Sequence, residues 1–341
     1  MDQTQHDSAY SWLRLGLSLM LALVGNIGMW AVIVVLPDMQ GEFGVERADA
    51  TFPYIATMIG FAAGNLLLGR AVDRWGITPV LALAAVALGA GFTGAAFAGS
   101  IYVVSAIHVL LGLGASASFG PLIADISQWF MRRRGIAVAI AASGNYLSGT
   151  AWPPFIAWVV ADYGWRGAYI ALAVAVVVVV LPGAFLLRRQ IDDASTARAA
   201  SHAAGMAATT GLSPRALVLL LSLAGVGCCV AMSMPQVHIV ALCMDRGFGA
   251  KAGAEMLSVM LAGGVVSRLA FGALSDRLGG LKTLLLGSLL QGMALCLFLL
   301  DGGLASLYVV SLIFGLSQGG IVPAYAIIVR EYLPPKEAGQ R

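Results

Sequence analysis

Arg268 is the residue whose surroundings suit it least. It lies in LAGGVVSRLAFGALSDR, inside an apolar run and eight residues before Asp276. A helix rising 1.5 Å per residue puts it about 12 Å from that charged turn, near the middle of a hydrocarbon core about 30 Å thick. Arginine at that depth costs about 2.5–3.5 kcal/mol on insertion scales. The cost points to a cavity or an anionic partner rather than to lipid. A guanidinium fork pairs a carboxylate through two parallel hydrogen bonds, so the chemistry indicated is anion binding. The competing reading is that Arg268 snorkels or pairs with a structural acid.

Other polar groups sit in apolar runs and are candidates to line the same site. They are Asn26 in LVGNIGMWAV, Asn145 and Tyr146 in SGNYLSG, Gln236 and His238 in the seventh run, and Gln318 and Tyr325 in the tenth. Asn and Gln also serve as glue between membrane helices, so each has a structural alternative. His108 is a candidate for proton coupling because imidazole titrates near neutral pH; its alternative is a packed, hydrogen-bonded histidine. No nucleophile–base pair, metal cluster or phosphate cradle is visible, and His6, His108, His202 and His238 are scattered. Cys228, Cys229, Cys243 and Cys296 have no CxxC spacing. Neither an enzyme, a metal nor a cofactor is expected. No basic stripe interleaves with aromatics, so nucleic acid is not an expected partner.

These residues need elements to hold them. The chain has 341 residues, 59% hydrophobic and 11% charged, with a mean hydropathy of +0.87. A soluble domain is about 45–50% apolar and about 25% charged. Apolar runs long enough to span hydrocarbon predict ten helices: 13–36, 51–69, 79–98, 101–126, 135–160, 166–187, 214–243, 253–274, 281–300 and 304–329. The first has acidic residues before it and is too long for a signal-peptide core, so it reads as an uncleaved span. The lipid bilayer is therefore a partner, and a monomer is expected. Of the 20 Lys and Arg, Arg47, Arg166, Arg246 and Lys251 fall on one side of the spans, 15 on the other, and Arg268 on neither. By the positive-inside rule both ends are cytoplasmic in a multi-pass protein of the cell membrane. Residues 188–213 are polar and rich in Ala, Ser and Thr, and read as a cytoplasmic linker, with a surface helix as the alternative. Gly60-Phe-Ala-Ala-Gly64 reads as a helix-packing face. Trp152-Pro153-Pro154 reads as a bend in the fifth helix.

One charged turn is written twice. Gly69, Asp73, Arg74 and Gly76 share a frame with Gly272, Asp276, Arg277 and Gly279, about 200 residues later. Each joins the second and third helix of its half on the inner side. The chain is thus two copies of one helical unit, a plan known among transporters. The G-x-x-x-D-R-x-G frame resembles the signature loop of the major facilitator superfamily. HVLLGLG at 108–114 is similar to its fourth-helix R-x-L-x-G-x-G, with His108 in place of Arg. SQWFMRRRGIAVAIAASGNYLSG at 127–149 resembles the start of helix five in the monocarboxylate-porter and oxalate/formate-antiporter branch.

The resemblance implies an all-α membrane fold of two pseudo-symmetric bundles. Residues 1–187 would be a six-helix bundle, 188–213 the linker, and 214–341 a bundle of four helices, incomplete against the usual six. That shortfall reads as a truncated product or a fragment. The signature loops would form the inner gate. Asp276 would face the start of helix five near Arg134 and Gly135, while the counterpart lock of Asp73 would be missing or half-made. A helix-eight Arg contacts the anionic substrate in this branch, and Arg268 with Gly272 matches that frame. Gly264 stands where the branch often has Asp.

Three functions are therefore open. The first is a secondary transporter of a small organic anion, a monocarboxylate or dicarboxylate, working by alternating access with proton symport or anion exchange. The second is efflux of an amphipathic drug or metabolite on the same fold; the fifth helix lacks the Gly-Pro pair that would favour it. The third is a truncated non-transporting membrane protein or sensor.

Overall fold

The computed structural model describes residues 6–192, 212–300 and 303–333, and between them 197, 200, 201, 203 and 205. Span one is α1 (Ala9–Gly25) and α2 (Ile27–Phe43), and span two is α3 (Arg47–Ala50) and α4 (Phe52–Trp75). Span three is α5 (Ile77–Ala96), and span four is α6 (Ile101–Ser116) and α7 (Gly120–Trp129). The helical run Arg134–Leu186 is divided at Gly164 (φ 68°, ψ 172°) into α8 (134–163) and α9 (165–186), spans five and six. Spans seven to nine are α10 (Pro214–Asp245), α11 (Gly249–Leu278) and α12 (Gly280–Leu297). Span ten is α13 (Leu304–Gln318) and α14 (Ile321–Tyr332). Among the described residues nine runs are long and apolar enough to cross a membrane. One of them is the pair divided at Gly164, which restores the ten predicted crossings.

The charged turn belongs to a longer repeat. Gly76 and Gly279 have nearly the same left-handed backbone (φ 81°, ψ 172° and φ 80°, ψ 162°) and each caps the helix before it. They are 203 residues apart, and so are the ends of α4 and α11, the starts of α5 and α12, and the starts of α6 and α13. A residue with a Cβ is strained at that φ, which is why the frame ends in glycine. The same interval governs packing. A Cβ on Gly112 would strike the Thr57 carbonyl, and one on Gly315 would strike the Met260 carbonyl. Small residues thus bring α6 onto α4, and α13 onto α11, backbone to backbone. Gly60 and Gly64 lie on that face against Val109 and Leu113.

Described residues of 1–129 and 141–196 gather in one compact unit, and those of 130–140 and 197–335 in a second. In the first unit α2, α5, α6 and α9 share one apolar core around Val35, Leu88, Phe92, Leu111 and Tyr169. In the second, α10 turns an apolar face outward: Leu219, Leu223, Val226, Val230 and Met234 are all exposed. An outward apolar stripe is the surface a lipid-facing helix presents.

Two sequence expectations need correction. Predicted helices 13–36, 101–126 and 304–329 are each interrupted, at Asn26, at Ala117–Phe119 and at Gly319–Gly320. Asn26 therefore sits at a break, not in mid-helix. Helix ends also move: the first helix starts at Ala9, and the second ends at Trp75. The helix persists through Pro153-Pro154, and the departure from helical backbone in this run falls at Gly164. In the expected linker 188–213, residues 188–192 and 212–213 are not helical, 197, 200, 201, 203 and 205 are helical, and 193–196, 198–199, 202, 204 and 206–211 lie outside the described residues. Apolar periodicity misses these breaks because apolar residues continue on both sides.

Candidate functional site

A broken helix frees backbone groups, and in hydrocarbon these must find partners. In span four the break closes on itself with three bonds of the i to i−3 kind: Ala117 N to Gly114 O, Ser118 N to Ala115 O and Phe119 N to Ser116 O. The Ser118 carbonyl then accepts from Asn26 Nδ2 at 3.1 Å, and the same amide group donates to Ala22 O at 2.8 Å. Asn145 Nδ2 on α8 donates to Asn26 Oδ1 at 3.3 Å. Asn26 and Asn145 thus form one buried cluster joining α1, α7's approach and α8. Tyr146, the next residue, is half-buried and has interactions of its own.

Span ten repeats the device with different chemistry. Arg268, 3% exposed, donates from Nε to the Gly319 carbonyl at 3.2 Å. The break comes within van der Waals reach of α11, since a Cβ at Gly319 would strike the Gly264 carbonyl and one at Gly320 the Phe271 ring. A cation beside the C-terminal end of α13 also meets the negative end of its dipole. Gln236 Nε2 on α10 donates to Gln318 Oε1 at 3.2 Å, next to that break. Arg268, Gln236 and Gln318 are therefore brought together inside the second unit.

The remaining candidates lie elsewhere. Tyr325 packs in an apolar cluster with Leu284, Ile321 and Ile328. His238 is exposed and borders a groove of about 400 Å³, lined by Met234, Ile239, Leu242, Leu295 and Phe298. His108 is fully buried, with Nδ1 2.8 Å from Val104 O and Nε2 3.0 Å from Tyr169 Oη. The carbonyl only accepts, so Nδ1 carries the proton, and in the neutral ring Nε2 accepts from the tyrosine. That geometry supports the packed reading of His108.

At the charged turn, Gly135 N and Ile136 N donate to Asp276 Oδ1 and Oδ2 at 2.5 and 3.1 Å. The carboxylate caps the free N–H groups at the start of α8, where the dipole favours negative charge. Asp276→Ala should lower stability by about 0.5–2 kcal/mol, with Asp276→Asn in between. Thermal midpoints of the purified variants check this. Arg74 lies over the Trp75 ring at 5.8 Å.

Two charged networks were not read from the sequence as sites. Arg14 is 1% exposed and meets Asp125 in fork geometry, Nε to Oδ2 and Nη2 to Oδ1, both at 2.9 Å. Its Nη1 donates to the carbonyls of Leu187 (3.0 Å) and Arg189 (3.1 Å), and its guanidinium lies over Trp129. At the other end of the unit, Arg166 donates to Glu42 (2.6 Å), to the Ala96 carbonyl that ends α5 and to the Ala98 carbonyl beyond it. Trp165 Nε1 donates to the same Glu42 carboxylate at 2.6 Å. The available signal was one opposite charge inside each of two predicted helices, Arg14 in 13–36 and Asp125 in 101–126.

A family model described as Major Facilitator Superfamily matches residues 18–340. Human monocarboxylate transporter 11 is 29% identical over 252 residues, covering 72% of this chain and 52% of that protein. Monocarboxylate transporter 13 of Rattus norvegicus is 28% identical over 290 residues, covering 83% and 66%. The chain thus spans about half to two thirds of the length of these relatives. A double-tryptophan variant of XylE superposes with a TM-score of 0.76 at 13% identity, covering 98% of this chain and 84% of that one. At that identity the likeness speaks to fold alone.

Proposed function

We propose that this chain, which belongs to the Major Facilitator Superfamily, carries a small organic anion across the cell membrane by alternating access. Arg268 is assigned to the carboxylate. The observation that carries the reading is the burial of this arginine in mid-span, hydrogen-bonded at a helix break rather than turned to a membrane surface. A cation at that depth is costly, and a bound carboxylate would offset part of that cost. The monocarboxylate transporters among its relatives support a carboxylate cargo, and proton symport or anion exchange is the coupling proposed. Residues 1–187 and 214–341 are taken as the two repeats, with both ends cytoplasmic. Asp73, Arg74, Asp276 and Arg277 are assigned to the inner gate.

The test is uptake into proteoliposomes of a radiolabelled panel: acetate, propionate, pyruvate, succinate, and a cationic dye. Uptake of one or more carboxylates, stimulated by an inward proton gradient or by carboxylate loaded inside, is the expected result. Movement of the dye with no carboxylate uptake would replace this reading with efflux of amphipathic compounds. Movement of none would contradict transport.

A further inference from the structure

Three buried polar side chains meet at the break in span ten: Ser267, Arg268 and Gln318, at 2%, 3% and 1% exposure. Ser267 packs on the break, since a Cβ at Gly319 would come within 2.9 Å of its own Cβ. Ser267 Oγ and Gln318 Nε2 make no hydrogen bond among the described residues. Gln318 Oε1 is occupied by Gln236, whose Nε2 donates to it. In this arrangement the acceptor of Gln318 is used and its NH2 is left over. A buried donor without an acceptor is unfavourable, and such groups are rare enough to require a cause. A hydroxyl, an amide NH2 and a guanidinium together match a ligand rich in acceptor oxygens.

We propose that Gln318 is a specificity-determining contact, donating to an acceptor oxygen set beside the carboxylate, and that Gln236 is the residue that positions it. This rests on the assignment of Arg268 to the carboxylate. The role of Gln236 is electronic as well as steric. Ionised glutamate at 236 would fill nearly the same volume but could only accept, so the Gln318 amide would turn its NH2 toward it and present its oxygen instead. A site whose buried donor is unmet discriminates against the analogue that lacks the acceptor.

Pyruvate and propionate have the same charge and nearly the same size and differ by one 2-oxo group. Equilibrium binding of each, radiolabelled, to the purified chain in nanodiscs separates the roles. The wild type should prefer pyruvate about tenfold or more. Gln318→Leu should bring the pyruvate-to-propionate affinity ratio to within about threefold of one. Gln236→Glu should lower the same ratio, its added charge weakening both probes, and its matched volume guards against misfolding of the leucine variant. Equal binding of both probes by the wild type, or variants that weaken both alike, would overturn the proposal. No binding of either probe would overturn this proposal, and carboxylate binding that is indifferent to Arg268→Ala would overturn the anion assignment beneath it.

Discussion

Arg14→Ala is expected to destabilise the first unit by about 3–5 kcal/mol, because it leaves the Asp125 carboxylate buried without its partner. For a domain of 150–250 residues that is a fall in thermal midpoint of roughly 6–20 °C. The magnitude follows from how completely the guanidinium is used: a forked pair with Asp125, two carbonyls at the end of α9 and beyond it, and the face of Trp129. Both partners are nearly or fully buried, with side-chain exposures of 1% and 11%. Asp125→Ala should cost a similar amount by stranding the arginine. The double variant Arg14→Leu/Asp125→Leu should be milder than either, since a buried pair replaced by apolar groups is often neutral. Midpoints measured in one detergent, with a double-mutant cycle across the pair, decide it. A single-variant loss below about 1 kcal/mol would mean that water reaches the pair and screens it as at a surface.

Most of the fold was legible because it depends on features the sequence carries openly. Length and continuity of the apolar runs gave the crossings, and the glycine of each charged turn marked a left-handed backbone at Gly76 and Gly279. The shared 203-residue interval was half visible, as two similar turns; its extension to Gly112 on Thr57 and Gly315 on Met260 needed coordinates, since nothing local marks which glycine touches which carbonyl. The breaks were not legible. A helix interrupted at Ala117–Phe119 has apolar residues on both sides, and what tolerates the interruption is an amide from another span, Asn26.

The same is true of the site. Asn26, Arg268, Gln236 and Gln318 stood out as polar residues in apolar runs, yet their pairings come from tertiary contact across more than 50 residues in sequence. Reading Tyr325 and His238 from type alone was less informative, because an apolar cluster and an exposed groove edge give the same signature in one dimension. Arg14 and Asp125 were hidden for another reason. Each lies near a span end, where an inner-side charge is ordinary.

The second large effect concerns Arg268. Truncating one partner of a buried, hydrogen-bonded charge pair costs about 2–5 kcal/mol, which is about 30- to 5,000-fold in affinity. Arg268→Ala should therefore reduce binding of a carboxylate by at least about 30-fold. The alanine also removes the donor to the Gly319 carbonyl, so part of the loss could reflect the break itself. Arg268→Gln separates the two, because an amide can still donate to that carbonyl but carries no charge and cannot form the fork. The decisive measurement is equilibrium binding of one radiolabelled carboxylate, that with the highest uptake in the panel, to wild-type, Arg268→Ala and Arg268→Gln protein in nanodiscs, each confirmed folded by its thermal midpoint. Loss of binding in both variants, with stability largely kept in Arg268→Gln, is the result predicted. Affinity retained in Arg268→Gln would contradict it, and would leave Arg268 as a structural cap on the break in span ten.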